Sequence, residues 1–550
     1  MALDPVEQAI IAQSLIAAAQ EMGVKLIRSA HSPIVREAED CSAALLSADG
    51  AVIAQAELIP MQLGSISHTF RHCAERHPPD EMAPGDFYIT NDAYLGGQHI
   101  QDIFLFSPIF HDGARIGFSA TVVHHIDLGG GAPGLNPNAA DIHAEGIVFP
   151  ALKLNRERDW SGGPWEAFVR ANVRMPDATL GDIDAQFAAN AVGAERLSAL
   201  AEKYGPGKLA EAMVEMLDYS ERRLRNALAQ APDGVYFGED AIDDDGQGSG
   251  PIRIKAKVTI AGDQMAIDFA GSADQVGTNM NNPYASTVSA AVAAAKSALT
   301  DPDIPFNDGC SRAITVSAPL GSILNPRYPA PVRARLLPSY RAFDAVMKAL
   351  ADATPDRVIA TGSDTTTACC LSWLGPNGYD IYLEIFGGGY GAGLRNDGVD
   401  GVDSPLSNCG NIPVEATDMD HGFFRCVDYS LIPGSGGQGR TRGGLAFRKA
   451  YEILEDGVTF ATYGDRMKLP ASGLFGGTAG QCGQNLVERA GEIIPLASKC
   501  QFPLQRGDRL IVQTSAGGGY GPAAERTNTR ALQDFEDGLA PDNPKAAAGP

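Results

Sequence analysis

The chain is expected to be α+β: a mixed, multi-subdomain protein with an N-terminal α/β part and a β-rich, glycine-rich C-terminal half. Three observations predict this. Apolar residues recur at helical spacing through much of the first 230 residues. After Pro232 the period changes to alternation. The 62 glycines and 35 prolines in 550 residues imply many tight turns and shaped loops. Taken in order, Val6, Ile10, Ile11, Leu15, Ala18 and Met22 predict a helix over 5–29. Residues 40–55 and 85–125 read as strands, and 163–172, 182–203 and 206–230 as helices. Ile252, Ile254, Ala256, Val258 and Ile260 alternate with polar positions and open a new β-rich region over 252–270. Helices are expected at 285–299 and 339–352, then short strands between glycine clusters over 355–520. These shifts divide the chain into 1–235, 236–354, 355–523 and a polar tail, 524–550, expected to be disordered at its end.

Bulk properties narrow the function. A hydrophobic content of 44% with 20% charged residues is that of an ordinary globular protein. The net charge of −24 argues against nucleic acid, because phosphate backbones recruit basic surfaces. No membrane span or secretory signal is expected, since the longest apolar run, 285–299, is alanine-rich and interrupted by Lys296. A cytoplasmic location follows as the expectation. The nine cysteines include no C-x-x-C pair and read as reduced, mostly core thiols. Cys369-Cys370 lies in an apolar stretch without a nearby histidine and is read as core.

Nine of the ten histidines fall within the first 143 residues, so the chemistry is expected there. His31, His68, His72 and His77 occupy helical or surface contexts and read as structural. Ile103 to Phe110 and Ile116 to Val123 read as two strands, and Asp112-Gly113 between them is a hairpin signal. Centring the turn there pairs residues whose numbers sum to 225, with Asp102 opposite Val123 and His99 opposite Ile126. His99 and His124 then share a face. Asp102 joins them only if the strand starts or bulges near 100–102; otherwise it groups with His125 on the other face. Pro108 cannot donate to a ladder and marks an edge or a bulge. Two imidazoles and one carboxylate leave coordination positions open, as metal catalysis requires. The N-terminal α/β part is therefore the expected metal-binding part.

Ordered motifs along the chain resemble the hydantoinase B/oxoprolinase family. They include Asp40-Cys41-Ser42, Asn91 to Asp102, and His124-His125-Ile126-Asp127-Leu128-Gly129-Gly130. Glu145-Gly146, Asn307-Asp308-Gly309, Pro329-Ala330-Pro331-Val332, Gly387 to Gly391 and Gly517 to Pro522 follow. The resemblance spans about 5–523 as one unit. It implies a metal held by His99, Asp102 and His124, either Mn, Zn or Fe, with Mg also open. His125 and Asp127 are candidates for general base or ligand-orienting roles, and Asp40 and Glu145 are further acid candidates. Two departures stand out: Ala93 where many relatives have proline, and Gln62 where many have histidine.

The resemblance further implies the B-type component of an ATP-dependent cyclic amidase acting on 5-oxoproline, a hydantoin or a larger lactam. ATP would be used by a hydantoinase A/oxoprolinase-type partner in an α2β2-type hetero-oligomer. The absence of a G-x-x-x-x-G-K-[ST] sequence accords with ATP chemistry in another chain. The glycine triplets read either as backbone donors to a phosphorylated intermediate or as tight turns. The alternatives are the alpha-type subunit of an ATP-dependent ketone carboxylase, a ferrous oxygenase, and a non-catalytic scaffold for an ATPase.

Overall fold

The computed structural model describes residues 4–403 and 405–541. Their contacts group into two units that interleave along the chain. The first comprises 1–133, 139–236 and 256–335, and the second 134–138, 237–255 and 336–550. Several sheets and long helices make the chain α+β, as expected.

The first unit is built on a six-stranded sheet. Its strands are β1 (Cys41–Leu46), β2 (Val52–Gln55), β3 (Asp86–Thr90), β4 (Asp102–His111), β5 (Ala114–His124) and β6 (Leu152–Asn155). They lie in the order β2-β1-β5-β4-β3-β6, antiparallel throughout. Helices α1 (Pro5–Ser29), α2 (Pro33–Arg36), α3 (Pro60–Leu63), α4 (Ile66–Arg76), α5 (Pro164–Asn172), α6 (Pro176–Tyr204) and α7 (Pro206–Gln230) accompany it. All of these helices except α4 have proline in the first turn, where its missing N–H costs nothing. Helix α6 starts six residues before the predicted boundary, because Pro176 initiates it and Gly181 does not break it.

Period-2 alternation sends the two faces of the sheet into two cores. Ile103 and Leu105 pack with Ile183 and Phe187 of α6. Phe104, Phe106, Phe118, Ala120 and Val122 pack with Phe70 of α4. A third cluster joins α1, α6 and α7 over β1 and β2. Helix α1 is the one described helix long and apolar enough by composition to cross a membrane, a candidate the sequence reading did not single out. Its Ile11, Leu15, Met22 and Leu26 are fully buried in the first unit. Helix α8 (Tyr284–Leu299) and strands 252–261 and 264–268 appear close to where the pattern places them, and a further strand at 314–317 was not expected.

The second unit holds two antiparallel sheets, one of four strands (367–375, 378–386, 458–463 and 499–504) and one of five. Its glycine triplets are neither turns nor free donors. The Gly517 N–H donates to Gly444 O at 3.0 Å, the Gly518 N–H to Thr361 O at 2.8 Å, and the Gly389 N–H to Ser515 O at 3.1 Å. These backbones pack directly against one another, and a Cβ at Gly389 or Gly517 would overlap a neighbouring carbonyl. Glycine is required for close approach, and the amides that a phosphate would need are already used. All nine cysteines are free, and Cys369 is fully buried. The beginning of the predicted tail is ordered: Asn528–Glu536 is helical, and Asp534 accepts from Arg526. Residues 542–550 lie outside the described residues.

Candidate metal centre

The β4–β5 hairpin keeps the predicted register only beside its turn. His111 pairs with Ala114 and Phe110 with Arg115, both summing to 225. A bulge between Ile109 and Phe110 then adds one residue on β5, and every later pair sums to 226. Asp102 therefore lies opposite His124 rather than Val123, and Asp102 and His124 continue the face of Phe104 and Val122. Pro108 sits where β4 has run beyond its pairing with β3, so its missing N–H leaves no ladder bond unmade.

His99 precedes the strand, in a turn closed by the Asp102 N–H donating to His99 O at 3.1 Å. Two features hold this turn. The buried Asn91 amide donates to Ile100 O and Ile147 O and accepts from the Phe149 N–H. Gly96 has φ +91°, and a Cβ there would stand 2.8 Å from the backbone of His68.

One ligand atom each from His99, Asp102 and His124 falls within 4.8 Å of the others, and all three residues are buried. The imidazoles meet edge to face with centroids 4.9 Å apart. Three of the four ring nitrogens, both of His99 and Nε2 of His124, are buried without a hydrogen-bond partner. His99 Nδ1 lies 3.0 Å from Asp102 Oδ2 without hydrogen-bond alignment. Buried nitrogens are rarely left unpaired, so this donor set suits a cation bound by lone pairs. Burial, followed by the Arg335 charge, pushes the His99 imidazole well below its usual range, which keeps its lone pair available. Burial would raise the Asp102 carboxyl, but the positive charge beside it, which with a neutral His99 is that of Arg335, outweighs burial and holds the group below the usual carboxylate range.

Around these three lies a hydrogen-bonded ring. Asp40, just ahead of β1, sets Oδ2 2.9 Å from His124 Nδ1 and accepts the His124 N–H on its own carbonyl. This leaves Nε2 as the open nitrogen of His124 and makes Asp40 the carboxylate that orients it. Gln62 on α3 donates through Nε2 to both Asp40 Oδ1 (3.0 Å) and Asp102 Oδ1 (3.2 Å). Arg335 Nη2 donates to Asp102 Oδ2 at 2.7 Å and to Gln98 Oε1 at 3.1 Å.

The other predicted candidates lie elsewhere. His125 points to the α6 face, where Nε2 stands 3.3 Å from Gln186 Oε1, and burial pushes its imidazole down to about 3. The grouping of Asp102 with His125 is therefore not formed. Asp127 is committed to Arg174, accepting from its backbone N–H and from Nη1. Glu145 accepts the N–H groups of Val332 and Arg333, and burial raises its carboxyl to about 7. It anchors the segment that carries Arg335. Arg335 and Gln98 are the site residues the sequence reading missed. The only sequence signal for Arg335 is its place just after the Pro329 to Val332 motif.

The chain belongs to the hydantoinase B/oxoprolinase family, whose model matches residues 4–523. It is 32% identical over 555 residues to the B component of a putative D-/L-hydantoinase from a Pseudomonas species, covering 98% of this chain and 93% of the relative. The crystal structure of the ATP-dependent caprolactamase from Pseudomonas jessenii superposes with a TM-score of 0.88 at 26% identity, covering 98% of this chain and 95% of that one. A nucleotide-free acetone carboxylase structure gives 0.86 at 18% identity over 98% of this chain and 78% of that one, a likeness of fold alone.

Proposed function

We propose that this chain is the ring-opening subunit of an ATP-dependent cyclic amidase acting on 5-oxoproline, a hydantoin or a lactam. The observation that carries the reading is the convergence of His99, Asp102 and His124 with three unpaired ring nitrogens, in a chain with hydantoinase and caprolactamase relatives. An unactivated cyclic amide resists water, so a hydantoinase A/oxoprolinase-type partner phosphorylates its carbonyl oxygen. The hydantoinase relative is itself named as one subunit of an enzyme, which supports such a partner, and an α2β2-type assembly is the expected form.

His99, Asp102 and His124 would hold the divalent ion. When bound, that ion supplies a Lewis acid and lowers the pKa of water. Asp40 fixes the His124 ring by holding the Nδ1 proton, and Gln62 and Arg335 keep the two carboxylates apart and oriented. Water adds at the activated carbon and the ring C–N bond breaks, with a proton passing to nitrogen. A second water releases the phosphoryl group as phosphate.

His124→Ala in the reconstituted complex tests this. The expected result is loss of ring opening and of bound metal, with partner-dependent ATP turnover retained. Normal ring opening would remove the metal centre from the mechanism. A ketone carboxylase subunit is the second reading, favoured only by the fold likeness to acetone carboxylase. Bicarbonate consumption separates it, because an amidase uses none.

A further inference from the structure

The first unit buries a guanidinium that no side chain among the described residues pairs. Arg333 is 4% exposed, its Nε and Nη2 have no hydrogen-bond partner, and no carboxylate forms an ion pair with it among the described residues. Arginine stays charged at any physiological pH, so it cannot escape burial by losing a proton. A desolvated, unpaired charge is among the costliest features a fold can carry, and native structures tolerate one where a ligand supplies the counter-charge. The nearby acid, Glu145, attracts the guanidinium at longer range but forms no ion pair with it, and its oxygens accept the backbone N–H groups of Val332 and Arg333 instead.

The surrounding chain is hydrogen-bonded on several sides. Beyond the Glu145 anchor, Ala334 N–H donates to Asn279 O at 2.8 Å, and the Asn281 amide bridges Thr278 O and Pro331 O. Thr278 in turn buries a hydroxyl without a partner. The position is informative as well. Arg333 lies two positions before Arg335, whose guanidinium touches Asp102 of the metal centre. Their α-carbons are therefore within about 7 Å. One arginine is saturated by the centre, and its neighbour has donors to spare.

We propose that Arg333 binds the phosphoryl group of the activated ring, through a charge-assisted contact from Nε and Nη2 to its oxygens. This rests on the reading above and adds a residue to it. Arg333 positions the phosphorylated carbon beside the centre and retains the phosphoryl group while the ring opens.

The test uses the full chain loaded with metal, with inorganic phosphate as probe and thermal unfolding as readout. Phosphate is expected to raise the Tm of the wild type, and acetate at equal ionic strength to leave it unchanged. Arg333→Met is expected to require roughly ten- to a hundred-fold more phosphate for the same shift, and Arg333→Lys to fall between. In phosphate-free buffer Arg333→Met is expected to match or exceed wild-type stability, because it removes a buried charge that has no ion-pair partner among the described residues; a purely structural arginine would give the opposite. A phosphate response undiminished in Arg333→Met overturns the proposal. So does an acetate shift equal to that of phosphate, or a Met variant destabilised without phosphate. Ring opening retained by His124→Ala, with the phosphate response still dependent on Arg333, would refute the amidase mechanism and leave the anion site standing.

Discussion

Arg335→Met tests the electrostatic design of the centre through stability alone. Arg335 is 4% exposed and Asp102 is fully buried, with Nη2 and Oδ2 2.7 Å apart. On the surface such a pair would contribute less than about 1 kcal/mol. Here the substitution leaves a carboxylate in the interior with the Gln62 amide, 3.2 Å from its other oxygen, as hydrogen-bond donor. Breaking a buried pair from one side costs about 3–5 kcal/mol, and methionine fills most of the vacated volume, so little of that loss is cavity. Urea unfolding followed by tryptophan fluorescence reads it, since Trp160 and Trp165 of the three tryptophans belong to the first unit. A saturating divalent ion should restore part of the loss, because it returns positive charge to Asp102. A loss below about 1 kcal/mol would refute the view that this guanidinium is what keeps Asp102 ionised.

Two more predictions follow from the same geometry. Gln62→Leu removes the donor shared by Asp40 and Asp102, so metal affinity, read by competition with a chromophoric chelator, should fall roughly 10- to 100-fold with the circular dichroism unchanged. Unaltered affinity would leave Gln62 without a role at the centre. Glu145 has its carboxyl raised from 4.5 to about 7, so the folded chain holds that proton more tightly than the unfolded chain. Its contribution is most favourable below pH 4.5, declines as pH rises to 7 and is constant above, a loss of at most roughly 3 kcal/mol. Glu145→Gln keeps an acceptor for Val332 and Arg333 without the charge, so it should gain stability relative to wild type across that interval. Parallel pH profiles for the two proteins would contradict the shift.

The residues that carry the centre were legible because their signals are local. Imidazoles cluster in one stretch, Asp112-Gly113 makes a turn, and alternation on both sides announces the strands. These depend on the identities of neighbouring residues and on the pleat, whose period of two holds in any context. The same locality explains why the helices at 5–29 and 206–230 came out at their full length.

What the linear pattern left open was the choice between Asp102 and His125 as the companion of His99 and His124. A single bulged residue near the turn decides it, because a one-residue slip moves every later side chain to the opposite face. That bulge lies within residues 109–117 of the hairpin, but the Asp112-Gly113 turn signal does not announce it. Arg335, more than 230 positions beyond Asp102, was beyond any spacing argument, as was the commitment of Asp127 to Arg174. The glycine triplets were misread for the same reason, since only folding shows that one backbone lies against another. The sequence by itself determined which atoms were available for chemistry and roughly where the chain turns. Tertiary structure alone decided which of those atoms meet and which charges stay unbalanced, because burial and long-range pairing, rather than local propensity, set the cost of each arrangement.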